Sequence, residues 1–411
     1  MDALILKNAT LLDLPARDRL EGRDIVIEAG RIKEVSDRPV SSAAARSIDL
    51  KGRTVLPGLI DLHVHVMATQ LNLGAQPLVP NIRVALKAVP ILKGMLHRGF
   101  TTVRDAGGAG FALKSAVEEG IVDGPRLFVA GKSLSQTAGN GDTRMRLDYL
   151  DPGCPCCSRL GALSRVCDGV DNVLRAAREE FKMGADHIKV MASGGVSSPT
   201  DSIGTLGFSA PELLAIVGEA TARGSYVMAH AYSAASIRHA VTCGVRTIEH
   251  GNLIDDETAA LMAEKRVYAV PTLATFAILT RYSDSYDLSP SAIAKLTSVR
   301  DAGFESLEIF RRHGVKMGYG TDLLGESHLH QNEEFNLRAR VLSPWEIIES
   351  ATTIGAEVLG MQGQIGVIAP GALADLVIVN GSPIDDIGLL AKPDAGLSAV
   401  MKGGSFVRNS L

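Results

Sequence analysis

The stretch Leu56-Pro57-Gly58-Leu59-Ile60-Asp61-Leu62-His63-Val64-His65-Val66 decides how the chain is read. Apolar residues alternate with Asp61, His63 and His65, which is the period of a β-strand, so both imidazoles project to the same side. Pro57 and Gly58 interrupt whatever precedes and open the strand cleanly. Two imidazoles side by side suit a metal ion. They also suit a half-buried strand whose histidines meet local hydrogen bonds, and this motif alone does not choose between the two.

Downstream, seven further apolar runs follow at residues 101–105, 127–131, 187–191, 226–231, 246–250, 267–272 and 316–321. Between them lie amphipathic stretches, such as 168–183, 210–223, 233–243 and 255–265, with apolar residues three and four apart. Eight strand–helix units in succession predict an α/β fold, a (β/α)8 TIM-like barrel over residues 58–358 with its active site at the C-terminal ends of the strands. Upstream, residues 2–13, 23–36 and 46–56 are strand-like without a helical period. Beyond a helix around residues 345–359, strand-like runs return at 374–380 and 399–408. Residues 1–57 and 359–411 are therefore expected to form one small β-sandwich domain.

With 411 residues, 46% of them hydrophobic and 21% charged, the chain has ample apolar material for a core. Its net charge of −4, with no basic run interleaved with aromatics, argues against a nucleic-acid or anionic membrane partner. The N-terminus turns polar too soon for a secretory signal, and no apolar run reaches transmembrane length, so a cytoplasmic protein is expected. Of the five cysteines, Cys154, Cys156, Cys157 and Cys167 crowd together. Their spacing is not that of a standard zinc knot, and reduced loop thiols are the preferred reading.

If the barrel is right, polar residues ending its strands share one site. Lys189 lies between Ile188 and Val190 where an inward position should be buried, an expensive place for a lone cation. The fifth strand ends in Met228-Ala229-His230-Ala231-Tyr232, the sixth in Thr247-Ile248-Glu249-His250-Gly251, and the eighth in Gly318-Tyr319-Gly320-Thr321-Asp322. Singly, His230, His250 and Asp322 read as core or capping residues. Together with His63 and His65 they read as metal ligands. Ser193 and Ser233 lie in no Gly-x-Ser-x-Gly elbow, which argues against a serine nucleophile.

This order of motifs resembles the amidohydrolase superfamily, in particular its binuclear branch related to imidazolonepropionase-like proteins, prolidases and ochratoxin-hydrolysing amidases, and the resemblance covers essentially the whole chain. It implies two divalent ions, zinc being the most plausible. His63, His65 and Asp322 would hold one, His230 and His250 the other, with Lys189 as N6-carboxylysine bridging both. Carboxylation would turn a costly buried cation into an anionic oxygen ligand. Asp322 would also serve as the catalytic base. Many relatives carry histidine where this chain has Asn140; that amide and Tyr232 are the candidate substrate-binding residues. His97, His187, His239, His313, His328 and His330 match no ligand position and are read as surface or supporting groups.

The expected substrate is a small molecule, a dipeptide or N-acyl amino acid with a free carboxylate, of Xaa-Pro or ochratoxin type. A cyclic-amide hydrolase or deaminase on the same barrel is the alternative, and Lys189 weighs against it because deaminase relatives usually lack that residue. A non-catalytic scaffold would be expected to lack ligands, and none is missing. A homo-oligomer is expected by analogy with relatives.

Overall fold

The structure is a computed structural model that describes residues 3–144, 159–196, 198, 201–283 and 290–411. Cys154, Cys156 and Cys157 lie outside the described residues. Cys167 and Cys243 are buried free thiols.

Five strands open the chain: β1 (Leu4–Asp13), β2 (Asp18–Glu28), β3 (Arg31–Ser36), β4 (Arg46–Asp49) and β5 (Thr54–Pro57). The barrel strands follow as β6 (Leu59–Val64), β7 (Phe100–Asp105), β8 (Arg126–Phe128), β11 (Ile188–Met191), β12 (Val227–Ser233), β13 (Thr247–Leu253) and β14 (Tyr268–Val270), with short β9 (Ser133–Ser135) and β10 (Ser164–Val166) inserted. Three more close the chain: β15 (Leu376–Val379), β16 (Leu397–Lys402) and β17 (Ser405–Asn409).

The molecule is a (β/α)8 barrel joined to a β-layer. Its parallel strands form two arcs, β6-β7-β8 and β10-β9-β11-β12-β13-β14. The stretch 316–322, expected as the eighth strand, spans one seam without a regular ladder of its own. Ala269 N–H donates to Lys316 O and Gly318 N–H to Ala269 O, while Leu62 N–H donates to Tyr319 O and Asp322 N–H to His63 O. At the other seam Asp186 N–H donates to Val129 O, 2.7 Å away. Glycine is required at the crowded first seam. A Cβ on Gly318 would stand 2.4 Å from Leu62 Cδ1, and one on Gly320 would stand 2.6 Å from Val270 Cγ1.

The two ends of the chain pair in one eight-stranded sheet ordered β17-β16-β15-β5-β1-β2-β3, with β4 on β1. The join is β5 against β15, antiparallel. Side-chain alternation then fastens this sheet to the barrel. Val55, Leu376, Ile378, Ala399 and Met401 enter the sheet's own apolar cluster. Their neighbours Leu56, Val377, Val379 and Val400 enter the barrel's main core, as does Leu397 beyond an irregularity in the β15–β16 register.

Candidate metal centre

Strand β6 delivers His63 and, one residue past its end, His65, with ring centroids 5.4 Å apart. Asp322 comes from the far side of the seam, and its N–H donates to His63 O at 2.8 Å. Its Oδ1 lies 3.4 Å from His63 Nε2 and 3.3 Å from His65 Nε2. His250 brings its ring to 4.9 Å from that of His63, and His230 lies 4.7 Å from His250. One candidate ligand atom from each of His63, His250 and Asp322 falls within 4.8 Å of the others. His250 (φ 71°) and Asp322 (φ 53°) are both left-handed, an uncommon conformation for such residues and one that concentrates at working sites. In β13 that twist lets Glu249 and its neighbour His250 both serve the centre, which plain strand alternation would forbid.

These residues fit divalent cations. His63 Nδ1 meets Glu249 Oε2 at 2.7 Å and His65 Nδ1 meets Gly107 O at 2.9 Å. Both partners only accept, so each Nδ1 donates and each ring directs its Nε2 at Asp322. His250 Nδ1 meets Thr272 Oγ1 at 2.7 Å. His230 differs, since its Nε2 faces Gly194 O at 3.1 Å and Asn140 Nδ2 at 3.3 Å.

The charge balance agrees. Burial pushes the Asp322 carboxyl up, but the charge and hydrogen bond of His63 and the hydrogen bond of His65 outweigh it and hold the pKa well below the carboxylate range. Burial, reinforced by Lys189, pulls His230 down to about 3. Burial also lowers Lys189 to about 8 against the pull of Glu249 and Asp322, so a neutral amine is within reach at ordinary pH. Lys189 is 1% exposed, as its sequence position predicted.

Tyr232 packs edge-on to His230 at 4.8 Å and stacks on His250 at 5.1 Å, within an apolar cluster of Phe276, Leu296 and Val299. Asn140 Oδ1 is buried without a hydrogen-bond partner among the described residues. Ser193 donates to Gly194 O and accepts from Tyr232 N–H, and Ser233 caps the helix Ala234–Thr242. Neither hydroxyl is arranged as a nucleophile. Of the histidines outside the motifs, His187 and His328 are buried against the carbonyls of Asp105 and Ala68. His313 and His330 pair with Asp256 and Glu333 away from the centre.

The sequence reading assigned no role to Arg104, Asp105 or Glu249. Asp105 is fully buried and accepts from Val66, Gly107 and Ala109 N–H, fixing the loop that receives His65. Burial pushes Glu249 up, but Arg104 and His63 hold it at about 2. The signal was present: Arg104-Asp105 ends an apolar strand just as Lys189 interrupts one.

A barrel with a His/Asp cluster at the C-terminal ends of its strands defines a metal-dependent hydrolase class. The chain belongs to the amidohydrolase family, whose profile matches residues 54–407. It is a hydrolytic enzyme. A solved amidohydrolase structure superposes with a TM-score of 0.97 at 56% identity, covering 100% of this chain and 100% of the other. A prolidase structure complexed with N-methylphosphonate-L-proline gives 0.97 at 52% identity, with 99% and 100% covered. Ochratoxinase from Aspergillus niger is 30% identical over 377 residues, 86% of this chain and 75% of its own length.

Proposed function

We propose that this chain hydrolyses amides whose amine half is an α-amino acid with a free carboxylate, proline or a large apolar residue above all. The observation that carries this is the convergence of His63 Nε2, His65 Nε2 and Asp322 Oδ1 beside Tyr232, in a chain similar to a prolidase and to ochratoxinase. His63, His65 and Asp322 would hold one divalent ion, His230 and His250 a second, and Lys189, carboxylated by carbon dioxide, both; imidazole and carboxylate donors suit zinc. When bound, such ions acidify a water molecule and polarise the scissile carbonyl.

The protein's own groups do the rest. Asp322 takes the proton of the attacking water on a carboxylate oxygen and returns it to the nitrogen of the departing amine. Tyr232, whose phenol burial keeps protonated, donates to the substrate carboxylate and fixes the amide beside Asp322. The surrounding apolar cluster keeps bulk water from that hydrogen bond.

The test is a panel of Xaa-Pro dipeptides and N-acyl amino acids against their methyl esters, hydantoins, lactones and aminated heterocycles. Hydrolysis of the free acids with a large loss on esterification supports the assignment. Turnover confined to cyclic or aminated compounds, or indifference to blocking the carboxylate, overturns it.

A further inference from the structure

Arg104 is, with Arg338, one of the two largest fully buried side chains among the described residues, and the hydrolytic step described above makes no use of it. It leaves β7 and crosses the barrel to β13, on the opposite wall. Its Nε donates to Leu62 O at 2.7 Å, one residue before His63. One terminal nitrogen donates to Thr247 Oγ1 at 3.2 Å and the other to Glu249 Oε1 at 2.9 Å. Thr247 Oγ1 also donates to Glu249 Oε1 at 2.5 Å, and the remaining oxygen of Glu249 accepts from His63 Nδ1. Arg104, Thr247 and Glu249 are each 0% exposed.

We infer that Arg104 is a positioning residue for the metal centre: its fork ties the β6 wall to the β13 wall, aims Glu249 at His63, and thereby sets the spacing between the His63–His65 ligands and His250. Three observations carry this. The fork's shorter hydrogen bonds, to Leu62 O, Thr247 Oγ1 and Glu249 Oε1, land on β6 and β13, the two strands that supply these ligands, and a longer one of 3.5 Å reaches the Tyr226 hydroxyl. Glu249 directly precedes His250, so one carboxylate orients a ligand from β6 while its own strand presents the other. A guanidinium alone offers donors in a rigid plane wide enough to meet three acceptors on two walls; a lysine ammonium placed there meets one wall at a time. Partners that hold ligands in this way typically govern metal affinity by ten- to a hundredfold. The inference rests on the metal-dependent reading above, not on the identity of the substrate.

The experiment is cobalt titration of the metal-depleted full-length chain, followed by equilibrium binding and by the visible absorption of the cobalt protein. Arg104→Lys keeps the buried charge. Arg104→Met with Glu249→Leu removes both charges together and so avoids an uncompensated one. Each is expected to bind cobalt about ten- to a hundredfold more weakly than the parent, with shifted absorption bands, while the melting temperature of the metal-free protein stays near that of the parent. Parental affinity and parental bands in both variants would overturn the inference, as would failure of both to fold, which would make the pair a folding element only. A parent chain that takes up cobalt but cleaves no free-acid amide would remove the substrate assignment and leave this inference standing.

Discussion

Tyr232 rests edge-on to one candidate ligand and flat on another, so its ring is held by packing whatever its hydroxyl does. Tyr232→Phe therefore keeps the ring contacts and deletes one donor. Turnover of a free-acid substrate should fall roughly ten- to a thousandfold while the melting temperature hardly moves, as for loss of one hydrogen bond made in the transition state. An unchanged kcat/KM would move carboxylate recognition elsewhere. Asp322 is both neighbour to the two histidines and the proposed base, and Asp322→Asn keeps its shape while losing the ability to take a proton. Several orders of magnitude in kcat should disappear with most bound metal retained, checked by steady-state kinetics beside elemental analysis; a loss under about tenfold refutes the role. The reading of single residues from sequence divides along this line. His63, His65, Lys189, His230, His250 and Asp322 stood out because each ends or interrupts an apolar strand. Arg104 and Glu249 also lie near the ends of apolar strands, but what defines their role is a contact between residues 145 positions apart, which no local pattern carries.

At the scale of elements, the apolar runs marked the strands well wherever both faces are buried, as in β6, β12 and β13. Sequence pattern failed where a strand is short or irregular. Strands β9 and β10 are three residues each and, unlike the equally short β8 and β14, do not lie in a longer apolar run. The stretch 316–322 is held partly by side chains rather than a ladder. Arg338, on the helix Glu333–Arg338, shows how: it donates to Pro271 O at the end of β14 and to Gly318 O across the seam, while Glu334 accepts from its Nε at 2.8 Å. Both side chains are 0% exposed. Arg338→Met strips two buried carbonyls and one buried carboxylate of their donor, a loss of about 3–5 kcal/mol. Adding Glu334→Gln should recover part of it by removing the stranded charge. Urea midpoints of the two variants decide the matter: equal midpoints would mean that the ion pair does not hold the seam.

For the whole molecule, the question is whether the terminal sheet and the barrel form one cooperative unit. The sequence showed strand-like runs at both ends and so placed them together. It could not show that alternate residues of β5, β15 and β16 would belong to two different cores, because alternation fixes only which residues share a face. The polar contacts at this junction centre on Asp375. Its Oδ2 accepts from Arg126 of β8 at 2.7 Å, its Oδ1 from Gly403 N–H at 2.7 Å, and its backbone O from Gly58 N–H at 2.7 Å. The single tryptophan, Trp345, packs against the barrel core on the helix Pro344–Ser350. Its fluorescence therefore follows the barrel, whereas far-ultraviolet circular dichroism follows both parts. Shared apolar packing predicts that the two signals lose structure at the same denaturant concentration. Asp375→Ala leaves Arg126 and the Gly403 amide without this acceptor, and should cost about 2–3 kcal/mol while the two curves stay superimposed. A dichroism step that precedes the loss of tryptophan signal, in the parent or in Asp375→Ala, would show that the sheet melts by itself and that Val377, Val379, Leu397 and Val400 do not bind it to the barrel strongly enough.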